Sequence, residues 1–543
     1  MKKLIAVLFT MILVLAGCSS GSKTSSEAYD LEDQTLPLAE PVTLKFMTQS
    51  SVLAPEDPND KLIWQRYQEK TNIEIEWNNY TNDQYETSRN LAISSGDLPD
   101  AIFDAGMSDY DLLTNGANGV IIPLEDYITE DIMPNLYKIL SENPEYKSIM
   151  TAADGHVYSF PWIEELGEGK QSIHSIDCIP WINQEWLDNL GLKMPTTTEE
   201  LKSVLIAFRD EDADGDGDKT NEIPMSFVAG AGGESPVSIY GAFGMGDNWD
   251  HTMVDENGKV LFSMNQEGYK DAIKYMNELQ QENLLDPEVF TQDYNTYASK
   301  GQEQKYGLYF TWDTGNIAGF ESGDYSNPEE IVSNYAPLHP LSANGNEPNV
   351  SRTNGMGFDR GRFVMTSANL NPILTARWVD GLYEPSQSVQ NNWGTYGDET
   401  QQNIFDLNSE GMLTHNTLDG TAPVELRQKT AVSGPLAVLD EYYGDVTTMP
   451  NDAKWRLDII EEVYAPHFGN DNTYPKVFYS VEDQTRLTDI EAAMLPYAEA
   501  MTAEWITNGG IDEGWDKYIE ELDRYGLQEW LEIKQKYYDE SQK

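Results

Sequence analysis

The stretch Val42-Thr43-Leu44-Lys45-Phe46 alternates apolar and polar side chains at the two-residue period of a half-buried strand. A polar turn follows Met47-Thr48-Gln49-Ser50-Ser51, then a helical pattern over 61–70 and a second alternating strand, Ile73-Glu74-Ile75-Glu76-Trp77. Strand, helix and strand in that order form the unit from which parallel sheets grow, so the fold class reads as α/β. A second helix over 83–94 leads through Ser95-Gly96-Asp97-Leu98-Pro99-Asp100 into the short strand Ala101-Ile102-Phe103, with Asp104 at its carboxyl end. In open α/β sheets ligands gather beyond those ends, which makes the segments after Met47 and after Phe103 candidates to line a site.

Upstream, Lys2 and Lys3 precede an apolar run from Leu4 to Leu15, and the run ends in Leu15-Ala16-Gly17-Cys18. This is the layout of a secretory signal over 1–17, too short for the roughly 20 apolar residues of a membrane-spanning helix. Leu-Ala-Gly-Cys resembles the bacterial lipobox, which implies a lipid on Cys18 and a chain anchored on the outer face of the cell membrane. Residues 18–41 are rich in Ser, Gly, Thr, Glu and Asp and read as a flexible tether.

The formal net charge is −57, a balance that argues against nucleic acid or an anionic membrane surface as a partner. Besides Cys18 only Cys178 remains, so a lipidated chain has no pair of thiols to bridge. Stability must then come from burial or from metal, and about 500 mature residues exceed what one core serves, so at least two lobes follow.

Five motifs stand in order: Leu91-Ala92-Ile93-Ser94-Ser95-Gly96-Asp97-Leu98-Pro99-Asp100, Gly119-Val120-Ile121-Ile122-Pro123-Leu124, Asp154-Gly155-His156-Val157-Tyr158-Ser159-Phe160-Pro161, Trp186-Leu187-Asp188-Asn189-Leu190-Gly191-Leu192 with Pro195-Thr196-Thr197, and Gly307-Leu308-Tyr309-Phe310-Thr311-Trp312. Together they resemble the type 1 extracellular solute-binding proteins of ABC importers. The resemblance implies a type II periplasmic-binding-protein-like fold, two hinged lobes with a ligand cleft between them. It places 42–161 and about 355–400 in the first lobe, and 162–354 and about 401–543 in the second. It further implies a monomer that captures an oligosaccharide without catalysing a reaction and delivers it to the permease subunits of the importer.

The densest chemical signal is Asp210-Glu211-Asp212-Ala213-Asp214-Gly215-Asp216-Gly217-Asp218-Lys219-Thr220-Asn221-Glu222. Alternating acids followed by Gly217 match the first half of a calcium loop, where every second side chain turns inward and glycine permits the bend. The spacing departs from an EF-hand, since the twelfth residue is Asn221 counted from Asp210 and Ile223 counted from Asp212. A comparable loop, ending as Glu222-Ile223-Pro224 does, occurs in the alginate and complex-oligosaccharide binders of the family. Carried over, it implies Ca²⁺ in a structural role, held by side chains of Asp212, Asp214, Asp216, Asn221 and Glu222 and by the Asp218 carbonyl. A solvated acidic turn without metal is the alternative. The helix before the loop has a capping box at Thr197 and Glu200 and an apolar face of Leu201, Val204, Leu205 and Phe208.

A sugar offers flat apolar faces and a rim of hydroxyls, so aromatic platforms and polar rim groups suit it. Each aromatic buries about 150–250 Å², a gross term of about 4–6 kcal/mol before ordering costs, so two platforms suffice. Of the thirteen Trp residues, Trp64, Trp505, Trp515 and Trp530 lie on helical stripes and read as core. The platform candidates are Trp312, where sugar-binding members of the family place a stacking aromatic, Trp162, and Trp393 in a Gly- and Asn-rich loop, with Tyr396 and Trp181 behind them. Asp104, Asp313 and Arg352 are the candidate hydroxyl partners.

Two other readings stay open. A surface glycoside hydrolase needs only two carboxylates, for which Glu164 and Glu165 are available, but no barrel repeat, nucleophile elbow or His-Glu-x-x-His accompanies them. A peptide or lipid carrier on the same scaffold is the other.

Overall fold

The structure, a computed structural model, describes residue 29 and residues 35–167, 173–230, 232–244, 246–323, 330–418, 423–469 and 472–543. Cys18, the signal over 1–17 and most of the tether over 18–41 lie outside the described residues.

The opening pattern folds as its periods dictate. β1 (Val42–Ser50), α1 (Leu62–Thr71), β2 (Ile73–Thr81), α2 (Asn82–Ser95) and β3 (Ala101–Phe103) succeed one another, and β1 pairs in parallel with β2 on one side and β3 on the other. Val42, Leu44 and Phe46 are buried while Thr43 and Lys45 are half-buried, so one face of β1 carries the core. Asn72 and Gly96 end the two helices in the left-handed conformation, returning their N–H groups to the carbonyls of Gln68 and Ala92.

The chain leaves this sheet through β4 (Phe160–Glu164) and enters a second at β5 (Ile179–Asn183), joined by β6 (Ile223–Met225), β7 (Tyr306–Thr311) and β8 (Tyr335–Pro337) in the order β8-β5-β7-β6. It returns through β9 (Gly357–Met365) and β10 (Leu436–Val438), completing a six-stranded first sheet in the order β10-β4-β9-β3-β1-β2. β9 runs antiparallel to both neighbours, and β10 runs parallel to β4. Each sheet has its own core, which gives the two-lobed α/β architecture.

In the second lobe α3 (Thr198–Asp210) buries Leu201, Val204, Leu205 and Phe208, and α4 (Glu267–Gln281) buries Ala272, Ile273, Met276 and Leu279, both at helical spacing. Two stretches depart from the expected lobe boundaries: residues 162–164, expected in the second lobe, complete β4 of the first sheet, and the chain after 400 stays with the first core. Instead of joining the second lobe at about 401, the chain buries Phe405, Leu413, Leu426, Leu436 and Tyr442 in the first core, with Ala453 and Leu457. The cause is the open edge of β4, which takes up Leu436-Ala437-Val438 as a parallel strand, a run too short to stand out by periodicity.

One element that touches both lobes is α5 (Asn451–Ile459): Ala453 and Leu457 pack on the first core, while Trp455 and Ile459 pack on a cluster of the second lobe with Trp181 and Tyr309. A π-helical turn, Ile460–Tyr464, follows it. Three helices, α6 (Val481–Asn508), α7 (Ile511–Tyr525) and α8 (Leu527–Ser541), then close the second lobe, with Trp505, Trp515 and Trp530 buried there. Among the described residues no helix is long and apolar enough to cross a membrane.

Candidate functional site

A cavity of about 690 Å³ opens between the lobes, lined from the first by Trp162, Asp359 and Arg362, from the second by Trp249, and by His174 and Trp312, whose indole packs against the first core although its backbone follows a strand of the second sheet. Trp162 lies on β4 opposite Asp359 of β9 and Leu436 of β10, and its indole N–H donates to Asn392 Oδ1 at 3.3 Å. Trp312 follows β7. The Arg456 guanidinium lies 3.5 Å from its ring centroid, and the His174 ring lies 4.7 Å away. Burial, aided by the charges of Arg456 and Lys476, pulls the His174 pKa down to about 4, so this ring is neutral at physiological pH.

The first-lobe wall owes its shape to a bulge. Pairing of β9 with β4 shifts between Asp359 and Phe363, and a Cβ at Gly361 would stand 1.9 Å from the Met107 carbonyl oxygen, so only glycine permits the approach. The bulge brings Arg362 to the cleft, where its guanidinium pairs with Asp104 and, at 2.7 Å, with Asp359. Asp104 is buried at a left-handed φ of 49°. Burial pushes its carboxyl up and Arg362 opposes the shift. Asp104 therefore reaches the cleft only through Arg362.

Trp162 and Trp312 are thus brought together, and three of the other aromatic candidates are not. Trp393 ends the helix Pro385–Trp393 and is 5% exposed, packed near Phe405, His415 and Tyr443. Its Asn-rich surroundings are buried helix, so the sequence-based reading of a loop platform is corrected. Trp181 is fully buried and stacks on Trp455 at 5.4 Å with an 8° interplanar angle, which leaves it no face for a ligand. Tyr396 carries the Arg66 guanidinium 4.5 Å over its ring and lies off the cleft lining. Arg352 stacks over Phe468 and lines a smaller cavity of about 310 Å³ that shares Thr252 and Tyr474 with the cleft. Asp313 follows Trp312, and its charge acts on Arg456.

Trp249, which the sequence reading passes over, is 64% exposed on the cleft wall. Its signal was present in Gly246-Asp247-Asn248-Trp249-Asp250-His251, an aromatic among polar residues off any helical stripe. Its backbone N–H donates to Asp177 Oδ2 at 2.9 Å. Burial first, then the neighbouring Asp250 and Asp247, push Asp177 up to about 7 against that hydrogen bond.

The acidic loop joins α3 to β6. Thr197 caps α3 by accepting from Glu200 N at 3.1 Å, but the Glu200 carboxylate accepts from Thr196 N at 2.9 Å, one residue before the expected partner. Asp212, Asp214 and Asp216 bring one oxygen each within 4.8 Å of one another. Gly217 N donates to Asp212 Oδ1 at 3.1 Å, and Gly217 adopts a φ of 93°, which glycine accommodates. Asp218 turns its carboxylate to Thr220 N at 3.1 Å. Glu222 Oε1 accepts from Ala213 N, while Glu222 Oε2 and Asn221 Oδ1 are buried and take no hydrogen bond from the described residues. Burial, with the charges of Asp214 and Asp212, raises the Glu222 carboxyl. Converging oxygens with two buried lone acceptors fit a hard cation.

Comparison with known proteins agrees with the two-lobed fold. The family described as bacterial extracellular solute-binding protein matches residues 55–340. The fructooligosaccharide ABC transporter substrate-binding protein FusA of Streptococcus pneumoniae serotype 4 (strain ATCC BAA-334 / TIGR4) is 54% identical over 539 residues, covering 99% of this chain and 98% of the relative. Two solved structures of S. pneumoniae FusA are 53% identical, with a TM-score of 0.83 over 92% of this chain and 99% of theirs. One is a complex with kestose, the other an EF-hand mutant in complex with fructo-nystose.

Proposed function

The chain belongs to the bacterial extracellular solute-binding protein family, and we propose that it captures a fructooligosaccharide between its lobes and delivers it to the permease of an ATP-driven importer. The observation that carries this reading is Trp162, on a strand of the first sheet, and Trp312, just after a strand of the second, lining one cavity of about 690 Å³. Two indoles supply flat apolar area, and Arg362 with Asp359 supplies donors and acceptors for the hydroxyl rim. Because each lobe brings part of the site, the ligand makes its full contacts only when the lobes close, and that differential affinity drives the hinge.

The substrate class follows the relatives, FusA being described with fructooligosaccharide and kestose. A hydrolase reading has less support, since FusA is described as a transporter substrate-binding protein. Glu164 and Glu165 are moreover buried off the cleft, Glu164 held by Asn392 and Glu165 by Tyr146 and the Asp440 N–H. A structural Ca²⁺ in the loop 212–222 and a lipid on Cys18, holding a monomer at the outer membrane face, complete the proposal. The loop's two lone acceptors and the EF-hand mutant of FusA support the ion. Bound there, it would neutralise carboxylates that otherwise repel one another.

Titration calorimetry with kestose, followed by chromatography of the recovered sugar, tests the reading. Saturable one-site binding with kestose recovered intact is the expected outcome; no heat of binding, or cleaved kestose, ends it.

A further inference from the structure

Arg456 of α5 is 1% exposed, and the main-chain carbonyls of Ile173, Ile176 and Trp312 accept its N–H groups, the first two at 3.3 Å. The same guanidinium covers the Trp312 ring at 3.5 Å from its centroid, so one cation grips both the backbone and the side chain of the residue. Burying a cation is unfavourable unless its donors are met, and burial lowers the Arg456 pKa to about 10, which leaves it charged at neutral pH. An apolar side chain of similar size would fill the space without that penalty, so packing alone does not account for arginine here. Its location is equally specific, on a helix that packs against the cores of both lobes, beside Ile173 and Ile176.

We propose that Arg456 is a positioning residue for ligand capture: it fixes one face of the Trp312 indole so that the other is preset for a sugar ring, and it ties that platform to the helix between the lobes. An indole free to turn would have to be ordered on binding, and the stacked guanidinium removes that loss beforehand. Lysine cannot substitute, because a point charge on a flexible stem neither stacks on the ring nor reaches three carbonyls at once. The inference rests on Trp312 being a platform.

Kestose dissociation constants for the wild type, Arg456→Lys, Arg456→Gln, Trp312→Ala and the double variants, with melting curves to verify folding, test it. Each Arg456 variant is expected to weaken kestose about tenfold in the wild-type background and less than about twofold in the Trp312→Ala background, since Arg456 acts through the indole. An equal loss in both backgrounds, or none in either, overturns the assignment. If Trp312→Ala binds kestose as tightly as the wild type, the platform reading falls and this inference with it. If Trp312→Ala is weakened and the Arg456 variants are not, only the inference falls. Arg456→Lys, which keeps the charge, decides where Arg456→Gln does not fold.

Discussion

Asp177 is a half-buried carboxyl on the cleft wall, held to the Trp249 N–H, and its titration has a predictable sign. With its folded pKa near 7 and an ordinary value of 3.8 unfolded, the folded chain keeps a proton that the unfolded chain releases between about pH 4 and 7. Stability from this group therefore falls as pH rises through that window. Asp177→Asn, which retains an acceptor for Trp249 N–H, is expected to raise the melting temperature at pH 8 and to leave it nearly unchanged at pH 4. A difference that does not grow with pH would contradict the assignment. Removing either proposed platform has a different signature: Trp162→Ala or Trp312→Ala should weaken kestose by about tenfold to a hundredfold, the scale of one apolar side chain's burial, with little change in melting. Trp162 and Trp312 were legible because they stand beside strands in recognisable motifs. Trp393 misled because its Asn neighbours look like loop yet are buried on a helix, and nothing in spacing reveals that an Arg distant in sequence will stack on Trp312.

Among the elements, the loop after α3 was the most legible, since alternating acids and a glycine turn carry their own geometry. Its lone acceptors, Asn221 Oδ1 and Glu222 Oε2, became visible only with burial. With the ion in a structural role, chelator should lower the melting temperature by several degrees while kestose affinity stays within about twofold. Glu222→Gln should melt lower than the wild type in calcium and respond less to chelator, and scanning calorimetry with and without added calcium checks both. Thr197→Ala removes the hydroxyl that caps α3 and should cost about 1 kcal/mol in chemical denaturation. The elements that escaped sequence reading share a cause: β10 spans three residues and owes its state to the neighbour it joins rather than to its own pattern.

For the molecule as a whole, hinge closure predicts a smaller radius of gyration with kestose in small-angle scattering, and an unchanged profile at saturation would count against it. The two-lobed plan was readable from strand and helix order together with length, whereas the return of 401–457 to the first lobe was not, because the resemblance gives approximate borders and that stretch lacks a long periodic segment. That return has a consequence for how the chain is made. The first sheet begins at Val42 and is sealed by Leu436–Val438, so a chain emerging from its amino end displays a half-built sheet, with the edge of β4 bare, until most of its length has appeared. Such long-range closure makes for slow maturation, and an unpaired edge invites association with other chains. A nascent chain halted before Leu436 should therefore be the form most dependent on chaperones and most readily degraded.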